Sequence, residues 1–233
     1  MTRGPIVAID GPAGAGKSTV ARHLAQHFGL LYLETGAMYR AFALKALRGD
    51  QDFDDPTALE RLARDTTIAL EADRTTNRVY LDGEDVTDRV RDSDVTQGAS
   101  RVSVHPAIRA WMVGLQRELG RKGGVVMEGR DIGTVVFPDA DIKVFLDASP
   151  DARSQRRYEQ NSGAPAAHSD HSAISKELRE RDERDRNRAT SPLYPAPDAV
   201  VIDSTGLSLD QVLTQIEDLV RPLFAATRSA QMR

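Results

Sequence analysis

The chain has 233 residues, with 31 basic against 35 acidic side chains, a net charge of −4 and no cysteine. That length accommodates one compact core with a small insertion, no apolar run approaches the ~18–20 residues of a membrane span, and no signal-peptide pattern follows Met1. The missing cysteines exclude disulfides, thiolate metal sites and cysteine nucleophiles and fit a cytoplasmic protein, while the acidic balance argues against a coat for nucleic-acid polymers.

The first element is a short apolar β-type run, Ile6 to Ile9, followed at once by the small residues of 11–16. From Ser18 the pattern turns helical, with Val20, Leu24 and Phe28 on one stripe and Gly29 as a stop. A second strand, Leu30 to Leu33, leads through Thr35-Gly36 into a helix reaching about Arg48. Asp55-Pro56 reads as an N-cap and first-turn proline of a helix to about Thr66.

Between Thr67 and Val90 the texture changes to short alternating segments, Ile68 to Glu71 and Val79 to Leu81, split by Arg74 to Asn77 and by Asp82-Gly83. These are hairpin signals, so 67–90 is predicted to be an antiparallel insertion. Helical patterns return over Asp92 to Val104 and Pro106 to Gly120. Val125 to Met127, Ile142 to Leu146 and Val200 to Ile202 read as further buried strands, Ser149-Pro150 opens a helix, and Ser208 with Gln211 forms a capping box. Strands alternating with helices imply a parallel sheet covered on both faces. Asn161 to Ser172 reads as a mobile loop, whose two imidazoles, His168 and His171, are expected to be solvated rather than metal-bound. The tail from Ala225 is expected to fray.

Chemistry enters at residues 11–18. Gly11, Pro12, Ala13, Gly14, Ala15, Gly16, Lys17 and Ser18 match G-x-x-x-x-G-K-[ST], between a strand and a helix as the motif requires. Small residues let backbone N–H groups wrap a phosphate, and the following helix adds its positive dipole end. Lys17 is expected on the β- and γ-phosphates, the Ser18 hydroxyl on Mg²⁺, and Thr19 completes the loop. The pattern points to a nucleoside triphosphate such as ATP. The Asn-Lys-x-Asp element of guanine-binding switches is absent from the sequence.

A second cluster is made of arginines. Arg181, Arg184, Asp185 and Arg188 fall at helical offsets that share one face. The same segment also fits a solvated helix laced by i,i+4 pairs such as Glu177 with Arg181 and Glu180 with Arg184. A magnitude distinguishes them: two phosphate charges about 5 Å apart repel by roughly 3 kcal/mol at an effective dielectric of about 20. One lysine and one Mg²⁺ cannot offset several such pairs, so a kinase acting on a phosphate must supply arginine forks. Arg40, Arg130, Arg181 and Arg188 are the candidates, with Arg153, Arg157 and Arg184 available on a lid. A phosphate acceptor is already largely ionised near neutral pH and needs no strong base. A hydroxyl acceptor would need one, and Asp131 could serve, so a kinase of another small acceptor and a P-loop switch without kinase activity both stay open on these residues alone.

Four blocks then carry a resemblance: Ile9 to Pro12 with the phosphate-binding loop, Thr35 to Arg40, Glu128 to Pro138, and Arg181 to Ala189. Together they resemble the bacterial cytidylate kinase family, over about Ile6 to Arg221. The family's usual Asp-Ser-Gly is Glu34-Thr35-Gly36 here, and its Asp-Gly-Arg-Asp is Glu128 to Asp131.

The resemblance implies an α/β P-loop NTPase fold: a three-layer core on a five-stranded parallel sheet (1–66 and 91–225), a helical lid (about 153–188), the β insertion (67–90) and a tail (226–233). It implies ATP- and Mg²⁺-dependent phosphorylation of CMP and dCMP in pyrimidine nucleotide metabolism, by a monomer. Arg40, Arg130 and Arg188 would hold the acceptor phosphate with Thr35 beside them, Ser100, Arg109 and Asp131 would read the cytosine edge, and Arg181 with Asp185 would hold the ribose. Lys17, Arg130, Arg181 and Arg188 would carry the transfer.

Overall fold

The computed structural model describes residues 3–162 and 170–231. A five-stranded parallel sheet runs in the order β2 (Leu31–Glu34), β6 (Val125–Gly129), β1 (Ile6–Asp10), β7 (Ile142–Asp147), β8 (Val200–Asp203). Side chains alternate across such a sheet, and β1 shows what that does. Ile6 and Ala8 enter one core, while Val7 and Ile9 enter the other. Both faces are apolar because both are covered.

The first core lies under α2 (Thr35–Arg48), α3 (Pro56–Arg64), α4 (Ser93–Val102) and α5 (Pro106–Gly120). Trp111 packs against it, edge-on to Phe42 at 5.3 Å. The second core lies under α1 (Lys17–Phe28) and α8 (Leu209–Gln231). Three predicted caps form as hydrogen bonds. Asp55 accepts from Thr57 and Ala58, Ser149 accepts from Ala152 at 3.2 Å, and Ser208 and Gln211 bond reciprocally.

The antiparallel insertion forms β3 (Ile68–Ala72), β4 (Asn77–Leu81) and β5 (Glu84–Asp85). Its hairpin turn is Asp73 to Thr76, where Asp73 accepts from both threonines, so Asn77 opens β4 and is buried rather than belonging to the turn. Asn77 then ties the insertion to the main sheet: its Nδ2 donates to the Tyr32 carbonyl and its Oδ1 accepts from the Glu34 N–H, both at 2.8 Å.

The lid is a helix pair, α6 (Pro150–Ser162) and α7 (His171–Asn187). The predicted loop is therefore narrower than 161–172: Asn161 and Ser162 are helical, as are His171 and Ser172, and 163–169, with His168, lie outside the described residues. The predicted fray from Ala225 is also corrected, because α8 continues to Gln231. Its inner face, Val212, Ile216 and Val220, is buried on the sheet and anchors the helix.

Candidate active site

Open α/β sheets bind ligands at the carboxyl ends of their strands, and here those ends gather the motif residues round one cleft of about 1890 Å³. The end of β1 passes into the phosphate-binding loop. A Cβ on Gly11 would meet the Leu146 carbonyl oxygen at 2.0 Å, and Gly16 caps α1 at a φ of +95°. Both positions admit only glycine at low cost. Ala13, Gly14, Ala15, Gly16, Lys17, Ser18 and Thr19 line the cleft, whereas Gly11 and Pro12 sit behind it. The Pro12 carbonyl accepts from the Lys17 ammonium at 2.7 Å. Burial, then the charge of Arg130, lowers the Lys17 pKa to about 7.

Next to this loop, Glu128 near the end of β6 accepts from the Tyr32 hydroxyl at 2.6 Å and, like Ser18, lines the cleft. Burial, followed by the neighbouring Glu34 charge, raises its pKa. Burial also works against the Glu34 charge, but Arg40, with Arg91 and Arg22 behind it, outweighs burial and holds that carboxyl below its ordinary range. Arg40 donates to Glu34 directly, and Arg91 lies 3.6 Å from it.

Another part of the cleft gathers guanidinium groups round the buried Asp185 carboxylate. Arg130 Nε donates to Asp185 Oδ2 at 2.9 Å, and Arg188 reaches Asp185 Oδ1 at 3.5 Å. Burial disfavours the Asp185 charge, yet Arg130, Arg181 and Arg188 together depress its pKa. Arg181 is itself held down to about 10 by burial and by Arg130. The Nε atoms of Arg40, Arg181 and Arg188 are buried without a hydrogen-bond partner. Guanidiniums crowded by like charge round one cleft make a site suited to anions.

Deeper in the same cleft Arg109, only 2% exposed, pairs with Asp131 and donates to the Ser103 carbonyl at 3.2 Å. Asp10 brings Asp131 there: its two carboxylate oxygens accept from the Ile132 and Gly133 N–H groups at 2.8 and 2.7 Å, fixing the turn that follows Asp131. Ser100 also lines the cleft, its hydroxyl accepting from Arg184 at 2.8 Å. Thus Thr35, Arg40, Ser100, Arg109, Arg130, Asp131, Arg181, Asp185 and Arg188 all border one cavity with the loop.

Some sequence expectations change. The hydroxyl proton of Thr35 is committed to the Glu128 carbonyl at 2.8 Å, so Thr35 faces the cleft as an acceptor at the first position of α2. Arg153 is no cleft arginine: it is 1% exposed and donates to Ala13, Ala148 and Asp182. Glu180 meets Arg184 through its backbone carbonyl rather than as an ion pair. Tyr39 also lines the cleft, with Arg109 over its ring at 5.7 Å. Sequence reasoning also missed Glu34, Glu128, Arg22 and Arg91 as cleft residues. The two glutamates end strands that run into recognised blocks, which is a usable signal. The two arginines carry none.

A phosphate-binding loop at the end of a central parallel strand, facing a lid with buried arginines across one cleft, defines a P-loop phosphotransferase. Comparison with known proteins gives the family. A cytidylate kinase family model matches residues 7–222. The cytidylate kinase of Pelotomaculum thermopropionicum is 50% identical over 217 residues, covering 93% of this chain and 96% of that protein. That of Solibacter usitatus is also 50% identical over 217 residues, covering 93% of this chain and 92% of the other. A solved shikimate kinase from Acinetobacter baumannii aligns over 94% of both chains with 18% identity and a TM-score of 0.47. The chain belongs to the cytidylate kinase family.

Proposed function

We propose that the protein transfers the γ-phosphoryl group of ATP to CMP and dCMP, giving ADP with CDP or dCDP. The observation that carries this reading is the joining, in one cleft, of the Lys17 loop with the guanidiniums of Arg40, Arg130, Arg181 and Arg188. Two polyanions need that much fixed positive charge to approach one another.

Lys17 and the loop N–H groups hold the triphosphate. Arg40, Arg130 and Arg188 grip the acceptor phosphate, Arg181 and Asp185 hold the ribose, and Thr35 stands beside them. The guanidiniums of Arg130, Arg181 and Arg188 are aimed where charge spreads over the transferring group, acting by positioning and electrostatics. The acceptor phosphate attacks as an oxyanion, so no side chain has to remove a proton. The Ser18 hydroxyl and the Glu128 carboxylate, both lining the cleft, are an all-oxygen donor set and would fit a hard divalent ion such as Mg²⁺, which when bound neutralises phosphate charge.

Base selection follows from Asp131, Arg109 and Ser100. Cytosine presents an amino donor beside two acceptors, and a carboxylate accepts from the first while Arg109 and Ser100 donate to the others. Uracil would set a carbonyl against Asp131, an unsatisfied buried contact costing about 1–3 kcal/mol. The insertion at 67–90 is assigned to monophosphate binding and the lid to 153–188, and the protein acts as a monomer in the cytoplasm. Among the described residues no helix is long and apolar enough to cross a membrane.

The test is ADP formation from Mg²⁺·ATP with CMP, dCMP, UMP, AMP, GMP and simple sugars in turn. Turnover fastest with CMP or dCMP is expected; equal turnover with every acceptor, or preference for a sugar, overturns the reading. Arg109→Met should raise KM for CMP far more than KM for ATP.

A further inference from the structure

Among the described residues one group of metal-ligating side chains lies outside the cleft: His23 and His27 on α1 with Glu217 on α8. The spacing of the two histidines is one helical turn, which puts both imidazoles on one face of α1. Their rings lie 5.9 Å apart with planes tilted by only 24°. Glu217 reaches over from α8, its Oε1 lying 2.6 Å from His23 Nε2 and 3.8 Å from His27 Nδ1, and all three ligand atoms fall within 4.8 Å of one another.

Those separations can be compared with a metal polyhedron. Bonds of about 2.0–2.1 Å in a tetrahedron set neighbouring ligand atoms about 3.3 Å apart, within the range spanned here. Small side-chain rotations suffice. Two neutral imidazoles and one carboxylate are borderline-soft ligands with one negative charge, a set that suits Zn²⁺ and disfavours Mg²⁺.

The surroundings also fit. His23 and His27 are 38% and 47% exposed, leaving an entry path and an open coordination position, while Glu217 is 17% exposed and held. The other Glu217 oxygen faces Arg221 at 3.5 Å, which orients the carboxylate although its charge competes with a cation. His27 packs edge-on to Phe28 at 4.7 Å, and Phe28 stacks on Phe224 at 5.0 Å, so the helices meet beside the cluster.

We propose that His23, His27 and Glu217 form a zinc site, separate from the active-site cleft, that clamps α8 to the helix carrying the phosphate-binding lysine. Coordination at Nε2 replaces the hydrogen bond between His23 and Glu217, and the neutral imidazole keeps its one proton on Nδ1. The clamp holds α1 at the end away from Lys17, so it stabilises the nucleotide-binding scaffold without touching substrate.

The test uses untagged, chelator-stripped full-length protein titrated calorimetrically with ZnCl₂ alone. One Zn²⁺ per chain is expected. His23→Ala and His27→Gln should each weaken it at least tenfold, and Glu217→Gln should weaken it by a smaller factor. Zinc at a hundred times its Kd should raise Tm on the order of 5 °C in the wild type and not in His27→Gln. Absence of binding below about 100 μM overturns the proposal, as does binding unchanged in both histidine variants. Loss of binding in a His168→Ala, His171→Ala double variant with retention in His27→Gln would move the metal to the lid and overturn it equally. His27→Gln is an exposed, conservative change, so zinc affinity can be compared in a folded protein even if His23→Ala does not fold.

Discussion

Arg130 and Asp185 bond across the interface between sheet and lid, Nε to Oδ2 at 2.9 Å, linking the residue just after β6 to the inner face of α7. The carboxylate is the shared counter-ion of Arg130, Arg181 and Arg188 and so keeps three like charges in one small volume. Replacing Asp185 with Asn keeps its shape and removes that counter-ion. KM for CMP should rise at least tenfold with KM for ATP within about twofold, and Tm should fall, since breaking a buried pair costs about 3–5 kcal/mol. Its depressed pKa also sets a pH dependence. The stability it contributes is present above the unfolded carboxyl pKa of about 3.9 and lost as pH falls through the lower folded value. Acid denaturation curves below about pH 4 should therefore be flatter for the Asn variant than for the wild type.

Lys17 gives a second pH signature. Burial, then the charge of Arg130, lowers its pKa from 10.5 to about 7, below that of the unfolded chain, so the native state gains stability as pH rises between those values. A bound triphosphate favours the charged form and reverses the shift. ATP binding at pH 8 should then take up a proton, read as a dependence of calorimetric enthalpy on buffer ionisation enthalpy. Lys17→Met should abolish the uptake and reduce kcat at least a hundredfold, the scale of losing a key electrostatic contact to the transition state.

Arg153 belongs to the fold more than to the ligand. Its guanidinium joins α6 to Asp182 on α7 at 2.6 Å and to the loop carbonyl of Ala13 at 3.1 Å. Arg153→Met leaves Asp182 buried without its cation, a loss of about 3–5 kcal/mol and a fall in Tm on the order of 10 °C. Adding Asp182→Leu should recover much of that stability while leaving KM for ATP raised, because the Ala13 contact stays broken.

Asp131 should set the choice of base. Asp131→Asn turns part of an acceptor into a donor, which suits uracil's carbonyl and loses cytosine's amino contact. The ratio of kcat/KM for CMP to that for UMP should fall at least tenfold, within the about 1–3 kcal/mol of one buried contact. A ratio that stays constant while both activities fall would give Asp131 a purely structural role through Arg109.

Much of the scaffold was legible in the sequence because its signals are local. The continuous apolar run of β1, the caps at Asp55, Ser149 and Ser208, and the hairpin texture of 67–90 each depend on neighbours a few residues away. Where a distant partner decides, the reading slipped. Asn77 left its turn because it bonds to Tyr32 and Glu34, and α8 is anchored through Val212, Ile216 and Val220, which pack into a core the local sequence does not show.

Chain length, charge and the absence of cysteine bounded the class of protein, and the spacing of residues 11–18 set a phosphate-binding loop without reference to any distant contact. A glycine-rich turn followed by a helix start is complete within one stretch of backbone, so sequence is enough to specify it. The arginines are different. Arg130, Arg153 and Arg188 look alike in the chain, and only the tertiary structure sets two of them round Asp185 in the cleft and sends the third behind it to Asp182. Charge acts through distance and burial, and both are fixed when the helices dock.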